Sequence, residues 1–266
     1  MPTKFLTIFL ALSLCSLGPT NASQNVASSA GSAQAATLLS QSARALTGLV
    51  AITDVTLTGS SEWIAGSDDE TGTAAIKSTA GANRLDLTLS NGTRSEIRSN
   101  ASGVPSGTWI GVDGVSHAMA NHNLMTDAGW FPAFTLGNLI SSSNTVLIYV
   151  GQETRDGAPV IHISASQQFP NLSGDSATLM QHLTQVDIYL DPTTSLPVSY
   201  VFNSHPDNNA SLDIPTEIRY SNYQTFGGAQ IPLHVQKFIN NTLTLDLQFQ
   251  NASLNTGITA AQISAQ

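Results

Sequence analysis

Residues able to do chemistry are sparse, and most of them sit in one short stretch. Asp113, His117 and His122 are close in sequence, and Gly114-Val115-Ser116-His117-Ala118 has the outline of a serine beside a base. Spacing supports neither idea. The two histidines are five residues apart, not the four that places two ligands on one helical face. A metal also needs several converging ligands. Ser116 lacks the second glycine of a nucleophile elbow and has no strand-to-helix context. His162 and His234 fall in strand-like segments with nothing to link them. A Ser-His-Asp triad is defined by geometry rather than order, so a hydrolase stays a secondary alternative. The expectation is a protein that is not an enzyme, with no catalytic residue, metal or cofactor.

A different kind of site is suggested between Met119 and Ile140. Met119, Met125, Trp130, Phe131, Phe134, Leu139 and Ile140 are apolar and do not alternate. Asp127, Gly129 and Pro132 supply helix-start and turn chemistry among them. The segment therefore reads as one or two short helices or an ordered loop. Methionine adapts to irregular guests, and large apolar pockets suit lipids, so these residues could form a lid over a hydrophobic ligand. They could equally plug a sheet, the commoner fate of apolar residues.

The elements that would position such a lid are mostly strands. Ala36 to Leu46 places Leu39, Ala43 and Leu46 on one helical face, opposite Ser40, Gln41 and Arg44, with Gly48 as a stop. Residues 23–35, rich in Ser, Ala, Gly, Asn and Gln, read as a flexible tether. Alternation of period two then runs from Val55 to Trp63 and through Leu85, Leu87 and Leu89 to Asn91-Gly92. A two-residue Asn91-Gly92 loop would set those leucines opposite Arg98, Glu96 and Arg94. An odd loop would instead set leucine against Ile97, so a three-residue bulged loop is expected. Further strands are expected near 145–150, 159–165, 186–190, 198–202, 216–226, 230–238 and 242–251, with a short helix near 175–183. No solenoid or propeller repeat is visible. A meander with one apolar face must curl around its own helices or pack on a second sheet.

The chain of 266 residues is 41% hydrophobic and only 10% charged, with a net charge of −9. Soluble domains usually carry about 25% charged residues; here Ser, Thr, Asn and Gln take their place. Without a basic stripe, nucleic acid is an improbable partner, and so are anionic lipid heads on a membrane surface. Lipid contact, including any peripheral membrane contact, would have to use acyl chains. Lys4, the apolar run Phe5–Leu17 and the small residues Thr20-Asn21-Ala22 make a signal peptide over 1–22. That run is too short to span a bilayer, so no transmembrane segment is expected after its removal. The only cysteine, Cys15, would leave with it. A lipid anchor at Cys15 is the other option, although Leu14 fits that motif poorly.

Local pattern in the C-terminal third resembles a known group. Val186-Asp187-Ile188-Tyr189-Leu190-Asp191-Pro192-Thr193-Thr194-Ser195-Leu196-Pro197 looks like its strand, turn and proline. Tyr220-Ser221-Asn222-Tyr223 and Gly227-Gly228-Ala229-Gln230-Ile231-Pro232 look like its next hairpin, and Phe249-Gln250-Asn251 with Leu254-Asn255 like its closing strand. The chain resembles the LolA-like superfamily of bacterial periplasmic proteins, lipoprotein carriers among them. That resemblance implies a mainly β (α+β) fold over 36–266: a strongly curved antiparallel half-barrel with helices on its concave face. It also implies a periplasmic or secreted protein that holds a lipid or lipoprotein acyl chain. The alternative is an envelope interaction protein with a plugged sheet that binds protein or glycan.

Overall fold

The computed structural model describes residues 21–100 and 102–264, with side chains from Ala30 onward. Residues 1–20, which hold Cys15 and most of the segment 1–22 expected to be a signal peptide, lie outside the described residues. Helix α1 (Asn21–Thr47) is followed by strands β1 (Asp54–Ala65), β2 (Asp68–Thr79), β3 (Ala82–Leu89), β4 (Gly92–Ser99), β5 (Ser106–Ile110) and β6 (Ser116–Ala118). A 3-10 turn (Asn121–Leu124) and helix α2 (Pro132–Ser141) fill the middle. Then come β7 (Thr145–Arg155), β8 (Ala158–Gln167), α3 (Gly174–Leu183), β9 (Val186–Leu190) and β10 (Pro197–Ser204). Strands β11 (Ile214–Phe226), β12 (Ala229–Ile239) and β13 (Thr242–Leu254), with the short helix α4 (Ala260–Ser264), complete the chain.

All thirteen strands form one open antiparallel sheet. Its order is β6-β5-β4-β3-β2-β1-β13-β12-β11-β10-β9-β8-β7, two meanders joined where the first strand meets the last. Thr56 to Trp63 run antiparallel to Ser253 to Leu245 with one bulge at Thr58/Gly59. Asp54 secures this seam. Its carboxylate accepts from Thr256 N, Thr256 Oγ1 and Gly257 N at 2.8, 2.8 and 3.0 Å. Burial works to raise the Asp54 pKa, but those donors and Thr53 hold it below its ordinary value.

Alternating positions put Leu57, Ile76, Leu85, Leu87, Val235, Leu247 and Phe249 on the inner face, where α1 and α2 pack. Helix α1 buries Ala35, Leu39, Ser42 and Leu46, the i, i+4, i+7, i+11 stripe of an amphipathic helix. Ala43 is only half-buried, so the stripe is rotated from the one expected. The helix ends at Gly48, whose φ of +60° suits glycine. A Cβ there would stand 2.7 Å from the Gly228 carbonyl oxygen.

Two expectations are corrected. Residues 23–35 are helical rather than a tether: α1 starts at Asn21. Alanine recurs through that stretch, and its high helix propensity outweighs the polar composition that suggested flexibility. The β3–β4 hairpin also takes the rejected parity. Leu89 pairs with Gly92 across a two-residue Ser90-Asn91 turn, so Leu87 faces Arg94 and Leu85 faces Glu96. Ile97 turns to the outer face, where it is buried beneath α4. The charges on the leucine face survive because each is paired or stacked, as shown below.

Strand β2 goes unannounced in the sequence, since its inward positions are Ala74, Ile76 and Ser78 rather than a run of large apolar residues. Among the described residues no helix is long and apolar enough to cross a membrane.

Candidate functional site

The inner face is not completely filled. At one end, a hollow of about 530 Å³ opens between β1, β3, β4, β5, β12 and β13. Trp63, Ile64, Leu85, Leu87, Ile239, Leu243 and Leu245 wall it, with Trp109 and Ile110 toward β5. Ligand pockets typically span roughly 300–1,000 Å³. A second hollow of about 370 Å³ lies near the β2–β3 turn, lined by Arg98, Met125, Asp127, Asn138, Leu139 and Tyr200 among others. It is the more polar of the two.

Trp130 forms part of the first hollow, and the segment before α2 is built to hold it there. Asp127 Oδ1 accepts from Gly129 N at 2.7 Å and from Thr135 Oγ1 at 2.8 Å. Tyr220 donates its hydroxyl to the Gly129 carbonyl. Gly129 has φ +74°, and a Cβ there would lie 2.8 Å from the Tyr200 ring. Pro132 then opens α2 at a position where its missing N–H costs nothing.

Charge enters this hollow from β4 and β12. Arg94 Nη2 binds Glu70 Oε1 at 2.9 Å, and its guanidinium lies 3.9 Å above the Trp63 ring. Arg98 Nε binds Glu96 Oε1 at 2.8 Å, and Arg98 Nη1 donates to the carbonyls of Asn123 and Thr126. Arg98 thereby ties β4 to the segment that carries Trp130. Lys237 stands 5.6 Å from the centre of the Trp130 ring. Burial would raise the Glu96 carboxyl, but Arg98, Lys237 and the nearby Trp130 N–H keep it below its ordinary value. Burial pushes Lys237 down, against the pull of Glu96.

The seven residues expected to form a lid do not share one place. Trp130 lines the larger hollow, while Met125 and Leu139 line the smaller. Phe131 and Phe134 are buried in the core, their ring centres 5.1 Å apart. Met119 is half-buried and Ile140 is 40% exposed. Most of the larger hollow's wall comes instead from strand residues, which alternation alone cannot distinguish from packed core.

The histidine-rich stretch does not converge. His117 stacks on Trp109 with ring centres 4.1 Å apart, His122 faces the Pro206 carbonyl, and Asp113 accepts from Val115 N. Long-range geometry makes other groupings that spacing could not reveal. His182 Nε2 lies 2.8 Å and His205 Nδ1 3.5 Å from Asp213 Oδ1, all three ligand atoms falling within 4.8 Å. Around zinc with bonds of about 2.0 Å, ligands sit roughly 3.3 Å apart, so a cation would have to draw this group together. His205 Nδ1 also faces the Leu212 carbonyl at 3.2 Å, and burial lowers its pKa. As it stands the group ties α3 to the β10–β11 loop.

Ser221 Oγ, His234 and Asp246 form a hydrogen-bonded line across β11, β12 and β13, with distances of 3.1 and 3.0 Å. These residues alternate outward from the core positions Tyr220, Val235 and Leu247, and they line neither hollow. Gln236 donates to the same aspartate at 2.6 Å. Ser221 and His234 are directly paired in the ladder, so this is a polar stripe of the outer face.

With this geometry in view, solved structures can be compared. An outer membrane lipoprotein-sorting protein domain from Vibrio parahaemolyticus superposes with a TM-score of 0.55 at 10% identity, covering 87% of this chain and 97% of that one. A LolA superfamily protein from Nitrosomonas europaea gives 0.54 at 9% identity, with 87% and 97% covered. The fold is LolA-like. A DUF1329 family protein from Desulfovibrio piger is similar to this chain to the same degree, with a TM-score of 0.54, 8% identity and coverage of 88% and 97%. No family model matches the sequence, and no curated protein matches it. The LolA-like fold is thus formed here by a sequence with only 8–10% identity to these structures.

Proposed function

We propose that this is a non-enzymatic protein of the bacterial periplasm that holds a hydrophobic ligand, a lipid or lipoprotein acyl chain, in the larger hollow. The observation that supports this is an unfilled volume of about 530 Å³ on the core side of a LolA-like sheet, walled mainly by aliphatic and indole groups. Each methylene buried there contributes about 0.8 kcal/mol, so part of one acyl chain is enough for useful affinity. The charged residues of the hollow come from β4 and β12, whereas β1, β3 and β13 contribute Trp63, Ile64, Leu85, Leu87, Leu243 and Leu245. Native mass spectrometry after bacterial expression, followed by uptake of a fluorescent fatty acid, tests this. Co-purifying lipid or saturable uptake is expected. A clean apo mass with no uptake would sink the idea.

One observation favours the interaction reading instead. Edge strand β7 exposes Ile148 and Val150, each at 52%. An open apolar edge is a template for strand addition by a partner protein. If the apo protein takes up no lipid yet pairs through β7, this second reading gains.

A further inference from the structure

The larger hollow is apolar in its walls but not in its hydrogen bonding. Beside the Glu96 carboxylate, its polar groups include donors left without acceptors. Trp130 is 2% exposed, and its indole N–H reaches no acceptor at bonding geometry, although it lies near enough to Glu96 to help keep that group ionised. Arg94 spends Nη2 on Glu70 but leaves Nε buried and without a partner. The ammonium of Lys237 makes no hydrogen bond or close ion pair among the described residues. A buried donor left unmade costs about 1–3 kcal/mol; Trp130 and Arg94 supply two such donors, and the half-buried Lys237 adds an unpaired cation to the wall of the same hollow.

The charge count agrees. Arg94 is matched by Glu70, and Glu96 by Arg98. Lys237 is then a positive charge in excess, in a protein whose net charge is −9. Resting on the ligand-holding reading above, we propose that the occupant is a single-chain amphiphile with an anionic end, a carboxylate or phosphate. That end seats among Lys237, Arg94 and Trp130, while its chain lies along Leu85, Leu87 and Leu245. An anion there also favours the charged form of Lys237, which burial alone disfavours.

Displacement of a neutral fluorescent probe, N-phenylnaphthylamine, tests this at neutral pH on the full mature chain. Laurate should displace it from the native protein at a concentration at least about tenfold lower than dodecanol, a difference of roughly 1.4 kcal/mol. In Lys237→Met that preference should shrink to about twofold, with dodecanol unchanged, and Lys237→Arg should restore it. Urea unfolding checks that each variant folds; should Lys237→Met fail, Lys237→Gln takes its place. Equal displacement by laurate and dodecanol overturns the anionic-end proposal while leaving the hydrophobic-ligand reading intact. A preference retained in both Lys237→Met and Lys237→Gln overturns it as well. Displacement by inorganic phosphate alone overturns it too, because the site would then take free anions. If neither amphiphile nor probe binds, both readings fall.

Discussion

Replacing Arg98 by methionine asks whether the charges on the inner face are an organised unit. The Arg98 and Glu96 side chains are 12% and 17% exposed. Removing one partner of a buried pair costs about 3–5 kcal/mol, and this exposure puts the pair near 3. Loss of the bonds to the Asn123 and Thr126 carbonyls, at 3.0 and 3.4 Å, adds about 1 kcal/mol. Lys237 still offsets part of the orphaned Glu96 charge, so a net loss of about 3 kcal/mol is expected. Urea unfolding followed by tryptophan fluorescence measures it. Glu96 is held below its ordinary pKa of 4.5 in the native protein. Its contribution is therefore complete above that value and is lost as pH falls through the lower, folded-state pKa. The gap between native and Arg98→Met protein should be widest near neutrality and close in acid. A loss below about 1 kcal/mol at neutral pH would refute the reasoning. So would an Arg98→Met/Glu96→Met double variant no more stable than Arg98→Met alone, since removing both charges should relieve the penalty.

Two further outcomes are expected. Gly129→Ala should lose about 2 kcal/mol or more, because φ is +74° and the new methyl meets the Tyr200 ring, whereas Gly137→Ala, in open space on α2, should gain about 0.5–1 kcal/mol; thermal melts of the two variants check the contrast. Asp54→Ala should cost about 2 kcal/mol at neutral pH through its orphaned donors, and in the native protein this contribution should vanish as pH falls below 3.8 through the depressed folded-state value, as a pH series of urea midpoints would show.

Much of the sheet is legible in the sequence because alternation is explicit where strands carry large inward residues, as in Val186-Asp187-Ile188-Tyr189-Leu190. Strand β2 is hidden because its inward side chains are small. The β3–β4 register misleads for a related reason. Counting charges against leucines assumes that an inward arginine is a penalty, yet Glu70, from β2, and Trp63, from β1, supply Arg94 with partners that no local pattern advertises. Trp130 could be singled out from the sequence, and it does line the larger hollow. Lys237 could not, since a lysine in Val235-Gln236-Lys237-Phe238 reads as an ordinary strand residue until β12 is seen beside β13.

The seam between β1 and β13 has a consequence for how the protein comes into being. Trp63, Leu85 and Arg94 belong to the first meander, whereas Lys237, Leu243 and Leu245 belong to the second. Contacts so distant along the chain are slow to form, and they wait until the last strand has emerged. A partly made chain has at most the first meander and half of the hollow's wall; the hollow takes shape only when the first and last strands meet at the centre of the sheet.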